Sequence, residues 1–290
     1  MSRIHDALKR AEQQRETGES TAPVAAIAGE AAVPPPPPPA PAFGQESLLE
    51  RCRRVEWTPD KNTMLFFDGD DTRPGTEEFR TLRSRLYAVR EVKQLRTILV
   101  TSALPKEGKS FTAANLAQAM VRQHGRRVLL IDCDLRAPRL HQLLGASGTP
   151  GVTDYLQGQS DEFSIMQCGP LENLFFIPSG QQSDHPAELV ANGRMKLLLQ
   201  NVESLFDWIV VDSPPAVPVA DAGMLAKMCD GVLMVVRSNA TPADVAQKAR
   251  AEFTEEALIG VVLNGSKNDK SPYAGYYYEA DRTRAKPAKA

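Results

Sequence analysis

Lys109 and Ser110 close the segment Ala103-Leu104-Pro105-Lys106-Glu107-Gly108-Lys109-Ser110, and two carboxylates, Asp132 and Asp134, follow the apolar run Val128-Leu129-Leu130-Ile131. The first segment fits the phosphate-loop pattern G-x-x-x-x-G-K-[ST] with Ala103 in place of its first glycine. In such a loop, backbone N–H groups and a helix N-terminus hold anionic oxygens. That assigns nucleotide binding to Pro105, Lys106, Glu107, Gly108, Lys109, Ser110 and Phe111. Lys109 would reach the β- and γ-phosphates, and Ser110 would place a hydroxyl on Mg²⁺. A third acid, Asp212, ends the apolar run Trp208-Ile209-Val210-Val211 and is followed by Ser213, Pro214 and Pro215. In phosphate-loop enzymes an acid so placed supports Mg²⁺, so Ser110, Asp132 and Asp212 are the predicted metal group. The competing readings are a serine-capped Gly-Lys turn for the loop, and helix caps or solvated turns for the paired acids.

These residues need strands that end together. The apolar runs predict strands near 97–102, 127–132, 174–178, 208–212, 231–236 and 259–264, with helices between them, one of them over Ser110 to Val121. Alternating strand and helix implies an α/β fold, P-loop NTPase-like, with a mostly parallel sheet and helices on both faces. Ligands bind such sheets at the carboxyl ends of the strands, where Asp132, Asp134 and Asp212 fall. Asn264 ends the last strand; its amide is a candidate for adenine recognition, or it is a turn-former before Gly265. Met64-Leu65-Phe66-Phe67 predicts an edge strand.

The order and spacing of the loop, of Ile131-Asp132-Cys133-Asp134-Leu135-Arg136 and of Val210-Val211-Asp212-Ser213-Pro214-Pro215 resemble the bacterial tyrosine kinases, autokinases of capsule and exopolysaccharide polymerisation and export. Further matches are Gly151-Val152-Thr153-Asp154-Tyr155-Leu156, Ile177-Pro178-Ser179-Gly180, Pro186-Ala187-Glu188-Leu189, Asp221-Ala222 and Gly260-Val261-Val262-Leu263-Asn264, so the resemblance spans roughly residues 70–280. Lys106 departs from it, because loops of that family often carry glycine there. The resemblance implies ATP and Mg²⁺ as cofactors and makes Lys109, Asp132, Asp134 and Asp212 catalytic. Asp134 would orient or deprotonate the incoming tyrosine, and Arg136 would stabilise developing charge or an acidic partner. It also implies a membrane-embedded polysaccharide co-polymerase or adaptor as activator, a homo-oligomeric ring and a cognate tyrosine phosphatase. The rival readings are a regulatory ATPase of the MinD/ParA type and a nucleotide-binding subunit without catalysis. Leu104 and Pro105 count against the first, since those ATPases usually carry lysine at the loop's second position.

Six tyrosines occur in the chain, and Tyr273, Tyr276, Tyr277 and Tyr278 crowd near its end with no buried periodicity. A docking segment or edge strand would also explain them, but the resemblance makes them the autophosphorylation sites. Glu77, Arg80 and Arg83 share one side of a helix over Thr76 to Val92, with Phe79, Leu82 and Leu86 on another. Spacing alone allows a solvated ion-paired face; the resemblance implies a subunit interface.

The remaining composition draws boundaries. A net charge of −2 without a long basic patch gives no sign of nucleic-acid binding. Cys52, Cys133, Cys168 and Cys229 are scattered, so neither a disulfide framework nor a thiolate metal site is indicated. No run of about 18 apolar residues is present, and the expected location is cytoplasmic, at the inner face of the membrane through a partner. The expected divisions are an amphipathic helix in 1–16, an Ala/Pro-rich linker over 17–45 that includes Pro34 to Pro39, the kinase domain over 46–268 and a flexible tyrosine-bearing tail over 269–290.

Overall fold

The computed structural model describes residues 45–67, 73–123 and 125–266. The amphipathic helix, almost all of the linker and the tyrosine cluster expected from sequence lie outside these residues. Helix α1 (Gln45–Arg51) and strand β1 (Arg53–Arg54) lead into α2 (Thr76–Val92), β2 (Thr97–Ser102), α3 (Lys109–Val121) and β3 (Val128–Asp132). Two short helices, α4 (Leu140–Leu144) and α5 (Val152–Leu156), precede β4 (Gln167–Cys168) and β5 (Leu174–Ile177). Then come α6 (Pro186–Ala191), α7 (Arg194–Glu203), β6 (Trp208–Asp212), α8 (Asp221–Ala226), β7 (Gly231–Arg237), α9 (Ala243–Ala251) and β8 (Leu258–Asn264).

The strands form one sheet in the order β1-β4-β5-β3-β6-β2-β7-β8. All neighbours run parallel except β4 and β5, which pair antiparallel. The long apolar runs form its centre because both sheet faces are covered. Leu99, Leu129, Ile131, Ile209 and Val211 face Val152, Leu198 and Leu225 from α5, α7 and α8. The alternate residues Ile98, Val100, Leu130, Trp208 and Val210 face Phe79, Leu86, Leu116 and Met120 from α2 and α3. A strand with apolar partners on both sides loses the polar alternation of a half-exposed strand. Trp208 is fully buried and donates its Nε1–H to Tyr87 Oη of α2 at 2.9 Å, so an indole enters the core with its polar edge satisfied.

Residues 64–67 correct the expectation of an edge strand: they form turns packed over α3. The Leu65 amide, which a strand would give to a neighbouring backbone, goes to Asn115 Oδ1 at 2.8 Å. Asn115 Nδ2 returns a bond to Thr63 O at 2.9 Å, while Met64 and Phe66 are buried. The apolar side chains therefore plug the core without a strand. Two-residue β1 and β4 had no readable periodicity. No helix among the described residues is long and apolar enough to cross a membrane.

Candidate active site

Parallel pairing places the carboxyl ends of the strands together. In the β3–β6 register Asp132 lies opposite Asp212, and β2, which delivers the phosphate loop, pairs with the other edge of β6. Gly108 has φ +96° and caps α3, whose first residues are Lys109 and Ser110. Lys109 Nζ lies 2.6 Å from Asp134 Oδ2 and 3.3 Å from Ser110 Oγ. The structure therefore brings Lys109, Ser110, Asp132, Asp134 and Asp212 into one group at the carboxyl end of the sheet.

The group is electrostatically loaded. Burial and the neighbouring Asp212 push the Asp132 carboxyl up to about 8. Burial raises Asp212 to about 6; Lys109 and the Ser110 hydroxyl restrain that rise, and Asp134 adds to it. For Lys109, burial alone would lower the ammonium, but Asp212, Asp134 and Asp132 together hold it above its ordinary value. Asp132 is partly satisfied, accepting the Asp134 amide at 3.2 Å and the Leu140 amide at 3.1 Å. Asp134 Oδ1 takes the Ala137 amide at 3.0 Å. Neither oxygen of the fully buried Asp212 accepts a well-formed hydrogen bond. A buried carboxylate without donors is costly unless a cation or ligand completes it. Among the described residues no three His, Cys, Asp or Glu side chains form a metal cage. One or two carboxylates and a hydroxyl beside a phosphate loop are instead the donor set of Mg²⁺, which keeps water and substrate phosphates as its other ligands. These residues fit a magnesium–nucleotide.

Other predicted residues occupy more specific places. Arg136 Nε and Nη2 meet Asp221 Oδ2 and Oδ1 at 2.8 and 3.1 Å, a two-point pair that fixes the exposed guanidinium from α8. Asn264 Nδ2 donates to Glu107 O at 2.8 Å, so this end of its amide holds the phosphate loop. Phe111 packs edge-on against Phe79, with ring centroids 5.8 Å apart, and ties α3 to α2. On α2, Arg80 pairs with Glu77 at 3.3 Å, and Arg83 donates to Ala119 O at 2.7 Å near the end of α3. The role of Asp221 is not legible in its Asp-Ala match, because its partner Arg136 lies 85 residues earlier.

The motifs outside the loop also gain a physical role. Val152 N donates to Pro178 O at 2.8 Å and Thr153 N to Ser179 O at 2.9 Å, so the Gly151–Leu156 and Ile177–Gly180 matches are two sides of one junction. A Cβ on Gly151 would stand 2.2 Å from Pro178 O, and only glycine permits that approach.

Residues 98–276 match the CobQ/CobB/MinD/ParA nucleotide binding domain family, to which this fold and loop belong. Over 208 residues the chain is 36% identical to Tyrosine-protein kinase YwqD of Bacillus subtilis, covering 71% of this chain and 87% of that protein. The chain belongs to the bacterial tyrosine-protein kinase family. Tyrosine-protein kinase Wzc of Salmonella typhimurium is 32% identical over 222 residues; the alignment takes in 76% of this kinase but 31% of Wzc, so the chain spans about a third of that relative. The kinase domain of the Escherichia coli tyrosine kinase ETK superposes with a TM-score of 0.62 at 29% identity, covering 67% of this kinase and 77% of that structure. Fold, loop and family agree, and the MinD/ParA-type ATPase reading is not favoured.

Proposed function

We propose that this kinase transfers the γ-phosphoryl group of ATP to tyrosines of its own C-terminal cluster, in the control of capsular or exopolysaccharide polymerisation and export. The observation that carries the reading is the convergence of Lys109 with Asp132, Asp134 and Asp212 at a phosphate loop. Mg²⁺, when bound, supplies charge neutralisation at the β- and γ-phosphates. Lys109 binds the same oxygens as a point charge, and the loop's N–H groups orient them. Ser110, Asp132 and Asp212 hold the metal. A tyrosine hydroxyl, whose ordinary pKa is about 10, gives up its proton late in transfer, and Asp134 accepts it at a carboxylate oxygen. Asp134 already accepts from Lys109, so the tyrosine hydroxyl would donate to the same carboxylate while facing the phosphates. Arg136, fixed by Asp221, steadies negative charge at the mouth of the site. The remaining carbonyl end of the Asn264 amide is assigned to the adenine amino group.

The chain works with partners in this reading. Glu77, Arg80 and Arg83 join subunits into a ring, each tail enters the next subunit, and accumulated phosphate at about −2 per group loosens the assembly. A membrane-embedded co-polymerase or adaptor activates the kinase and holds it at the inner face of the membrane, and a tyrosine phosphatase resets it. Nucleic acid has no part. The test mixes Lys109→Met full-length chain with active chain lacking residues 273–290, ATP and Mg²⁺. Phosphotyrosine should appear on the inactive full-length chain; its absence there, with the short chain still binding nucleotide, overturns the reading.

A further inference from the structure

Glu107 poses a problem for a loop that binds phosphates. A carboxylate amid the oxygens of a triphosphate repels them, yet this one sits at the loop's centre and is 3% exposed. The structure shows where its charge goes. Glu107 Oε2 accepts the Leu104 amide at 2.8 Å, and Oε1 accepts the hydroxyl of Thr241, from the connection between β7 and α9. Thr241 is itself oriented, because its Oγ1 accepts the Arg237 amide at 3.1 Å and its own amide donates to Arg237 O at 3.1 Å.

Two further bonds tie the same loop to the ends of β7 and β8, and a third joins those two ends to each other. Arg237 Nη1 donates to Lys106 O at 3.0 Å. Lys106 has φ +66°, a left-handed backbone that a non-glycine residue adopts only when something holds it. Asn264 Nδ2 donates to Glu107 O at 2.8 Å, and Asn264 O accepts the Ser238 amide at 2.8 Å. Gly108 leaves the space: a Cβ there would stand 2.0 Å from Asn264 Nδ2. The loop's two unusual residues, Lys106 and Gly108, are thus flanked by anchors that come from residues 237–264.

We propose that the β7–α9 connection is a brace that presets the phosphate loop for nucleotide, with Glu107 as its receiving carboxylate and Thr241 and Arg237 as positioning residues. The brace turns the acid away from the phosphates, closes the first half of the loop onto itself through Leu104, and fixes the peptide after Lys106. Preset N–H groups spend no binding energy on ordering the loop when nucleotide arrives. The proposal rests on the reading of this loop as the ATP site, and it is tested by nucleotide binding alone, without reference to tyrosine transfer.

The sign of one substitution separates the brace from simple electrostatics. Glu107→Gln removes a negative charge beside the phosphates, so charge alone predicts tighter binding. The brace predicts weaker binding, because an amide oxygen and an amide nitrogen cannot both accept from Leu104 and Thr241. Binding of a fluorescent ADP analogue with Mg²⁺ to the full chain is the measurement. Thr241→Val should raise Kd about tenfold, the loss of a hydrogen bond to a charged group, and Thr241→Ser should restore it. In turnover the loss should fall on KM for ATP more than on kcat. Should Thr241→Val fail to fold, Arg237→Met carries the test, since Arg237 is exposed and holds only the Lys106 side of the loop. Tighter binding by Glu107→Gln overturns the brace. So does an unchanged Kd in folded Thr241→Val or Arg237→Met. If no variant or wild-type chain binds nucleotide at all, the reading of the site fails first, and the brace with it.

Discussion

Asp212→Asn is expected to stabilise the protein in chelator without nucleotide while ending phosphoryl transfer. Asp212 is fully buried and neither oxygen accepts a well-formed hydrogen bond. Its carboxyl is pushed up to about 6 from an ordinary 3.8, chiefly by burial. A raised carboxyl pKa means that the folded protein holds a proton that the unfolded chain has released. The penalty is absent below the unfolded value, grows as pH rises between about 4 and 6, and is complete above that. Two pKa units correspond to about 3 kcal/mol. Asparagine removes the charge but buries an amide equally short of partners, which offsets part of the gain. With such an amide costing about 1–3 kcal/mol, the net gain is at most about 2 kcal/mol, worth no more than roughly 4–8 °C in Tm for a domain of this size. Thermal unfolding of wild type and variant in EDTA, at pH 8 and at pH 4, measures it. The variant should melt higher at pH 8, lose that advantage at pH 4, and show no phosphotyrosine with Mg²⁺ and ATP. A variant less stable than wild type at pH 8 would refute the claim that this acid is kept for chemistry at the expense of stability.

Gly108→Ala should weaken nucleotide binding at least tenfold on the scale of about 1–2 kcal/mol for left-handed strain, because it also drives a Cβ into Asn264; adding Asn264→Ala should recover part of the loss, and titration with a fluorescent nucleotide reports both. Gly180→Ala should lower Tm, since φ is +86° and a Cβ would meet Thr153 Oγ1 at 2.3 Å and Asp154 Oδ2 at 2.5 Å. Tyr87→Phe leaves the buried Trp208 indole without its acceptor and should cost about 1–3 kcal/mol in denaturant unfolding. Arg80→Glu should turn the proposed ring into smaller species in sedimentation while nucleotide affinity is retained, because the half-buried Arg80 pairs on α2 with the exposed Glu77.

The core strands were legible because burial on both faces leaves apolar runs such as Val128–Ile131 and Trp208–Val211 uninterrupted, and an acid at the end of each run is conspicuous. The loop was legible despite Ala103, since Gly108, Lys109 and Ser110 keep their spacing. What escaped was set by partners far along the chain. Leu65 follows Asn115, 50 residues away, and so leaves the sheet that its own side chains favour. Arg136 is turned by Asp221, 85 residues on, and Glu107 by Thr241, 134 residues on. Neither partner differs in type from an ordinary helix-start acid or turn threonine. Asn264 shows the same limit: its position at the end of β8 was readable, but its bond to the Glu107 carbonyl required the fold.

Transfer of phosphoryl groups from ATP to tyrosines near the C-terminus is tested by incubating the purified full-length chain with ATP and Mg²⁺ and mapping phosphate by mass spectrometry. Phosphotyrosine should accumulate among Tyr273, Tyr276, Tyr277 and Tyr278, rise when the cytoplasmic segment of a membrane adaptor is added, and be absent from folded Lys109→Met. Release of ADP and free phosphate with no phosphotyrosine anywhere in the chain, adaptor present, would contradict the account.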